Sequence, residues 1–184
     1  MTAQAHEHAA GQGRIVLERA DITTLAVDCV VNAANAELAG GGGVDGAIHR
    51  AAGHAELQAE LRRRYPRGCP VGSAVITGGH GLRARHVVHA VGPRWRDGDH
   101  GEPEKLASAY RTAFALAAAA GCATVGAPAI STGIYGFPID RAAPIALREA
   151  QAALENPGTS LREIRFALFS EADLDTFAGA LSTP

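Results

Sequence analysis

The stretch Asp28-Cys29-Val30-Val31-Asn32-Ala33-Ala34-Asn35, followed after Ala36 to Ala39 by Gly40-Gly41-Gly42-Gly43-Val44-Asp45-Gly46, decides how this chain folds. Asp28 to Asn32 is a short apolar run, the pattern of a strand buried on both faces of a parallel sheet. The glycine run leads straight into Val44 to Ala52, whose spacing is helical. Consecutive glycines allow positive φ and let backbone N–H groups approach an anion without side-chain interference. The helix N-terminus that follows adds its dipole and unpaired donors, which makes phosphate the natural guest. A merely flexible, solubilising loop accounts for the run less well, because four glycines cost conformational entropy that a plain loop does not need.

Outward from this stretch the chain alternates. Arg14 to Arg19 reads as a strand and Asp21 to Thr24 as a turn or short helix start. Ala55 to Tyr65 is helical and is stopped by Pro66. Ser73 to Thr77 and His86 to Val91 are strands, and Arg94 to Gly101 is a polar loop. Glu104 to Ala120 is a strong helix with Gly121 at its C-terminal stop. Thr124 to Ala129 is a buried strand running into Ser131-Thr132-Gly133-Ile134-Tyr135-Gly136-Phe137-Pro138. A helix from Asp140 to Leu154, a break at Asn156-Pro157-Gly158, a strand from Glu163 to Phe169 and a helix from Asp173 to Leu181 complete it. This is one α/β domain over residues 14–181 with helices on both faces of the sheet. Residues 1–13 are expected to be a flexible tail carrying His6 and His8. Ligands of such sheets bind beyond the C-terminal strand ends, and both unusual loops, Asn32 to Gly46 and Ser131 to Pro138, leave from those ends.

A length of 184 residues suits one domain, and 47% hydrophobic with 20% charged residues is ordinary globular composition. Aromatic residues are scarce and alanine abundant, so the core is expected to rest on close helix packing. Seventeen basic against nineteen acidic residues, with Arg62-Arg63-Arg64 as the one basic run, argue against a duplex-binding protein. That run reads as a solvated helix face. Cys29, Cys69 and Cys122 form no CxxC pattern, which suits a reducing compartment without structural zinc. No apolar run approaches the ~20 residues of a membrane span. The expectation is a cytoplasmic monomer with no membrane, no nucleic acid, no metal and no cofactor.

Gly41, Gly43 and Gly46 formally spell GxGxxG, but a dinucleotide fingerprint follows its strand at once, whereas Asn32 to Ala39 intervenes here. A nicotinamide oxidoreductase is disfavoured on that ground, and the absence of GxxxxGK[ST] removes the P-loop enzymes. Asp45 sits beside the expected phosphates, where a carboxylate is costly unless it holds or deprotonates water. Capping the helix that starts near Gly46 is an equally open role. In the second loop, N–H groups and hydroxyls are placed to close over a diphosphate, with Tyr135 as a lid. Neither loop holds a lysine, so a diphosphate would be bound by backbone amides. The amide of Asn35 both donates and accepts, which suits a ribose hydroxyl, while Asn32 reads as turn-stabilising. His49 reads as a packed or capping residue and His89 as a satisfied core histidine.

Val30 to Asn35, Gly40 to Arg50, His89-Ala90-Val91-Gly92-Pro93 and Ile130 to Pro138 together resemble the macrodomain family, specifically its MacroD-type branch. The resemblance runs from Arg14 to Leu181. It implies a three-layer α/β/α sandwich around a mixed, roughly six-stranded sheet, ADP-ribose as ligand, and hydrolysis of ADP-ribosyl esters. Branch members remove mono-ADP-ribose from acidic side chains of proteins and deacetylate O-acetyl-ADP-ribose; the alternative is a non-catalytic module that binds ADP-ribose without turning it over. Carried over by position, Asp21 would accept the adenine amino group with the Ile22 backbone assisting, and Phe169 would lie against the adenine ring. Gly41, Gly42, Gly43 and Val44 on one side, and Ser131, Thr132, Gly133, Ile134 and Tyr135 on the other, would hold the diphosphate. Asn35 would hold the distal ribose, and Asp45 would position the attacking water with help from a substrate phosphate. One departure is Ala20, where branch members commonly have glycine. A positive φ there would strain the adenine site by ~1–2 kcal/mol.

Overall fold

The computed structural model describes residues 5–182. Seven strands, β1 (Ala5–Ala10), β2 (Gly13–Arg19), β3 (Cys29–Ala33), β4 (Ala74–Gly78), β5 (His86–Ala90), β6 (Thr124–Ala127) and β7 (Glu163–Leu168), form one mixed sheet in the order β1-β2-β7-β6-β3-β5-β4. The five inner strands run parallel, and the edge strands β1 and β4 run antiparallel to their neighbours. Five helices, α1 (Gly43–Ala52), α2 (His54–Arg64), α3 (Glu102–Ala119), α4 (Ile139–Glu155) and α5 (Glu171–Leu181), cover its two faces. Among the described residues no helix is long and apolar enough to cross a membrane.

The two-residue period of the strands sorts the core. Cys29 and Val31 of β3, Val88 and Ala90 of β5, and Ile164, Phe166 and Leu168 of β7 pack with α3, α4 and α5. Val30, Val87 and Ala167 turn the other way, into a smaller cluster with Ile48 of α1. The expected alanine packing is present: Ala109, Ala113 and Ala117 of α3 and Ala142, Ala143, Ala146 and Ala150 of α4 are all fully buried. Tyr110 is one of the few large side chains between them. Its hydroxyl accepts from Ile130 N and donates to Pro128 O, each at 2.8 Å, and so fixes the start of the loop after β6.

The flexible tail expected over residues 1–13 is corrected by β1. Ala5–Ala10 pairs with β2 from Ala5 opposite Glu18 to Ala10 opposite Gly13, which makes the sheet seven-stranded rather than six-stranded. His6 and His8 therefore lie on a strand, while residues 1–4 fall outside the described residues. Only Ala10 of β1 is buried. The strand is held by its backbone ladder along an edge, so no apolar alternation announces it.

Candidate functional site

A groove of about 270 Å³ opens at the C-terminal ends of β3, β5 and β6. It is lined by Ala33 to Asn35, Gly41 to Asp45, Gly92, Arg94, Ala129 to Ser131 and Gly133 to Tyr135. Its first wall is the glycine loop. Asn35 staples that loop: its Oδ1 accepts from Ala39 N at 3.0 Å and its Nδ2 donates to Gly40 O at 2.9 Å. The amide expected to hold a ribose is thus engaged with its own loop, which fixes where the loop's backbone faces. Gly43, at φ 57, opens α1. The N–H groups of that first turn have no intrahelical acceptor and point out of the helix end.

Asp45 is the third residue of α1, not its cap; the cap is Gly42, which has no side chain to offer. The helix begins at Gly43, one residue before the helical spacing from Val44 and three before the start that a capping role for Asp45 required, because a glycine supplies the non-helical entry. The Asp45 side chain is 7% exposed. Its Oδ1 accepts from Asn32 Nδ2 at 2.7 Å and lies 3.0 Å from His49 Nδ1. Its Oδ2 turns toward Gly41, 3.4 Å from where a Cβ on that residue would stand. One oxygen is held and the other faces the glycine loop. His49 Nδ1 also sits 2.9 Å from the Asp45 carbonyl oxygen. Its hydrogen bond to the Asp45 side chain raises the His49 pKa against the opposing effect of burial.

Asn32 is no turn residue. It lies on β3, fully buried, on the same face as Val30, and its amide reaches the carboxylate below α1. The signal was in the strand period, since Val30 and Asn32 must share a face. Asn32 Oδ1 is buried without a partner, which costs about 1–3 kcal/mol. Native structures tolerate such a group where another contact demands the orientation.

The second wall descends from β6. Ser131 holds φ 68, a left-handed conformation rare outside glycine. Its carbonyl accepts from Phe137 N at 2.9 Å, and Gly136 N donates to Gly133 O at 3.0 Å. The N–H groups of Gly133, Ile134 and Tyr135 stay outside this internal bonding and are free to face the groove. Gly92 makes the approach possible: a Cβ there would stand 2.2 Å from Ser131 Oγ. Ile134, 79% exposed, spans toward the opposite wall and comes within 3.7 Å of the Cβ position of Gly42. Thr132 is not part of the lining; its hydroxyl donates to Ala129 O at 2.8 Å.

Arg94, read as the start of a polar loop, is a lining residue the sequence did not single out. Among the described residues it is the one cationic side chain lining the groove, and its guanidinium lies 4.3 Å from the centre of the Tyr135 ring. Trp95 N donates to Tyr135 O at 2.8 Å and ties the two segments together. Nothing in a stretch of polar residues distinguishes one arginine from the next before β5 and β6 are placed on either side of β3.

Asp21, Ile22 and Phe169 lie outside this groove, further along the same edge of the sheet. Asp21 caps the 3-10 turn Ile22–Thr24: its Oδ1 accepts from Thr23 N at 2.9 Å and from Thr23 Oγ1 at 2.7 Å. Phe169 follows β7 with 93% of its surface exposed. Ala20 is not among the described residues at positive φ, so the strain expected there does not arise. Strand order then sets these groups in a row: Asp21 beyond β2, Phe169 beyond β7, the Ser131 loop beyond β6, the glycine loop beyond β3 and Arg94 beyond β5.

An open α/β sheet with two glycine-bearing loops at its C-terminal edge, and no lysine in either, has the arrangement of a class of proteins whose main-chain amides suit a phosphorylated ligand. The chain belongs to the Macro domain family, whose model matches residues 31–146. It is 50% identical to a macro domain-containing protein of Caldanaerobacter subterraneus, over 91% of this chain and 95% of that one. An O-acetyl-ADP-ribose deacetylase of Escherichia fergusonii is 54% identical over 74% of this chain and 78% of its own length. The structure is similar to that of the Oceanobacillus iheyensis macrodomain with ADP, at 36% identity and a TM-score of 0.90, covering 98% of this chain and 96% of that one.

Proposed function

We propose that this macrodomain binds ADP-ribose and hydrolyses ADP-ribosyl esters, removing mono-ADP-ribose from acidic side chains or deacetylating O-acetyl-ADP-ribose. The reading is supported by the relatives above, one named as a deacetylase and one solved with ADP. The observation that carries it is Asp45, a nearly buried carboxylate in the first turn of α1, with Oδ1 held by two donors and Oδ2 turned toward the glycine loop. A phosphate held by backbone amides gains nothing from a carboxylate at that point, whereas an attacking water does.

In this scheme the adenine rests between Asp21 and Phe169, the diphosphate between the two loops, and the distal ribose near Asn35 and Asp45. Asp45 Oδ2 accepts a hydrogen bond from a water and directs its oxygen at C1″. The bond from C1″ to the ester oxygen breaks, and the acidic side chain leaves as a carboxylate. The water oxygen becomes the ribose hydroxyl, and its released proton passes to Asp45 or to a substrate phosphate oxygen before reaching solvent.

Turnover of an ADP-ribosylated glutamate protein by wild type and Asp45→Ala, with ADP-ribose calorimetry on both, tests the reading. Loss of at least 100-fold in kcat with binding kept within a few-fold is expected, in the range for removing a group that acts on the reacting water. Binding in both proteins with turnover in neither would make this a reader module.

A further inference from the structure

Behind Asn32 the face of the sheet below α1 carries two more polar groups. His89 of β5 is the parallel neighbour of Asn32, and Thr77 of β4 lies diagonally beyond it. Both are buried. Thr77 Oγ1 is 3.1 Å from Gly78 O and 2.9 Å from His89 Nε2; His89 Nδ1 is 3.2 Å from Asn32 Nδ2.

The directions of these bonds are set from the Asp45 end. The carboxylate Oδ1 only accepts, so Asn32 turns its NH₂ group to it and to His89 Nδ1, and at the far end Thr77 gives its single proton to Gly78 O. Thr77 therefore offers a lone pair to His89, and Nε2 must carry the imidazole proton. Burial holds His89 neutral, with its pKa pushed down to about 3. Its Nδ1 is then a bare acceptor, and the Asn32 atom beside it must be the NH₂ group. The second proton of that NH₂ goes to Asp45 Oδ1 at 2.7 Å. A flipped amide would set its oxygen against a lone pair on one side and a carboxylate on the other.

We infer that His89, backed by Thr77, is a positioning residue that fixes which face of the Asn32 amide meets Asp45, and so which carboxylate oxygen is left for the substrate water. The inference rests on the hydrolase reading of Asp45. It gives a purpose to a buried polar row that packing alone would fill with apolar residues, and it accounts for the unpaired Asn32 Oδ1.

Two variants separate this role from packing, because the smaller Asn fills the site less well than Leu. His89→Asn keeps an acceptor near the place of Nδ1, and His89→Leu removes it. For hydrolysis of ADP-ribosylated glutamate, His89→Asn is expected to stay within about 3-fold of wild-type kcat and His89→Leu to fall at least 10-fold, with KM and the ADP-ribose Kd unchanged in both. Equal kcat in the two folded variants would overturn the inference. If His89→Leu does not fold, Thr77→Val replaces it, with a kcat loss of at least about 3-fold expected and an unchanged kcat counting against the role. Imidazole nitrogen NMR reads the same point without turnover: wild-type His89 should be the Nε2–H tautomer, and an Nδ1–H tautomer would refute the row. Absence of hydrolysis by wild type with the Nε2–H tautomer present would sink the hydrolase reading and leave the positioning of Asn32 standing.

Discussion

Phe169→Ala separates ligand affinity from folding more cleanly than any other change in this chain. The ring is 93% exposed at the end of β7, so the fold buries almost none of it. Truncation should leave stability within ~0.5 kcal/mol, the usual span for a surface position. If adenine stacks on the ring, one face of it leaves water. About 60 Å² at ~25 cal/mol per Å² gives about 1.5 kcal/mol, inside the range measured for base–aromatic stacking. That is a loss of roughly 10-fold in ADP-ribose affinity. Calorimetry with ADP-ribose, paired with thermal unfolding, measures both quantities. Ribose 5-phosphate, which has no adenine, should bind wild type and variant alike. A Kd change below about 2-fold, or an equal loss for the adenine-free ligand, would refute the placement of adenine beside β7.

Gly92→Ala places a Cβ 2.2 Å from Ser131 Oγ and 2.5 Å from Ile130 Cγ2. The forced shift should cost about 1–3 kcal/mol in urea unfolding and push the Ser131 loop off its wall, weakening ADP-ribose binding with it. Arg94→Ala removes a cation from the groove lining and should weaken ADP-ribose by about 3–10-fold at low salt, with the difference fading as salt screens it. For His89 the folded pKa of about 3 lies below the ordinary 6.5, so the unfolded chain takes up this proton first. Stability from this group is complete above pH 6.5 and declines below it by ~1.4 kcal/mol per unit, about 2 kcal/mol by pH 5. His49 works in the opposite sense, its raised pKa giving stability below 6.5 that is lost at higher pH. Urea midpoints between pH 5 and 8 measure the balance, and His89→Asn should flatten the acid limb.

The inner strands were legible because burial on both faces writes itself into composition: Val30-Val31, Val87-Val88 and Val125 announce their strands before any contact is known. The two loops were legible for the complementary reason, that clustered glycines mark backbone turning through positive φ, as Gly40, Gly43 and Gly136 do. What composition could not carry was anything held by the main chain alone or created by adjacency. β1 buries one alanine and is joined through its ladder, so Ala5–Ala10 looked like a tail. Arg94 stands on the groove only because β5 neighbours β3 and the Ser131 loop bends over to meet it. Asn32 was misjudged by one step: the run Asp28 to Asn32 was read as a strand, yet its last residue was treated as a turn.

The glycine loop and the aspartate within it pull in opposite directions, and the way the structure reconciles them bears on function. Unpaired N–H groups at the start of α1 attract an anion, and a carboxylate in the same turn repels it. The dipole at the helix start favours both charges, and two donors hold Oδ1 in place. A neutral side chain at 45 would leave the phosphate side of the groove more attractive, with the Asn32 amide then short of its acceptor. Under the proposed hydrolysis, fixed hydrogen bonds from β3 and α1 hold one Asp45 oxygen so that the other stands beside the ligand. Such an oxygen weakens ground-state binding of an anion and gains value only where a water must be held and its proton drawn away, which is the requirement of ester cleavage at the ribose.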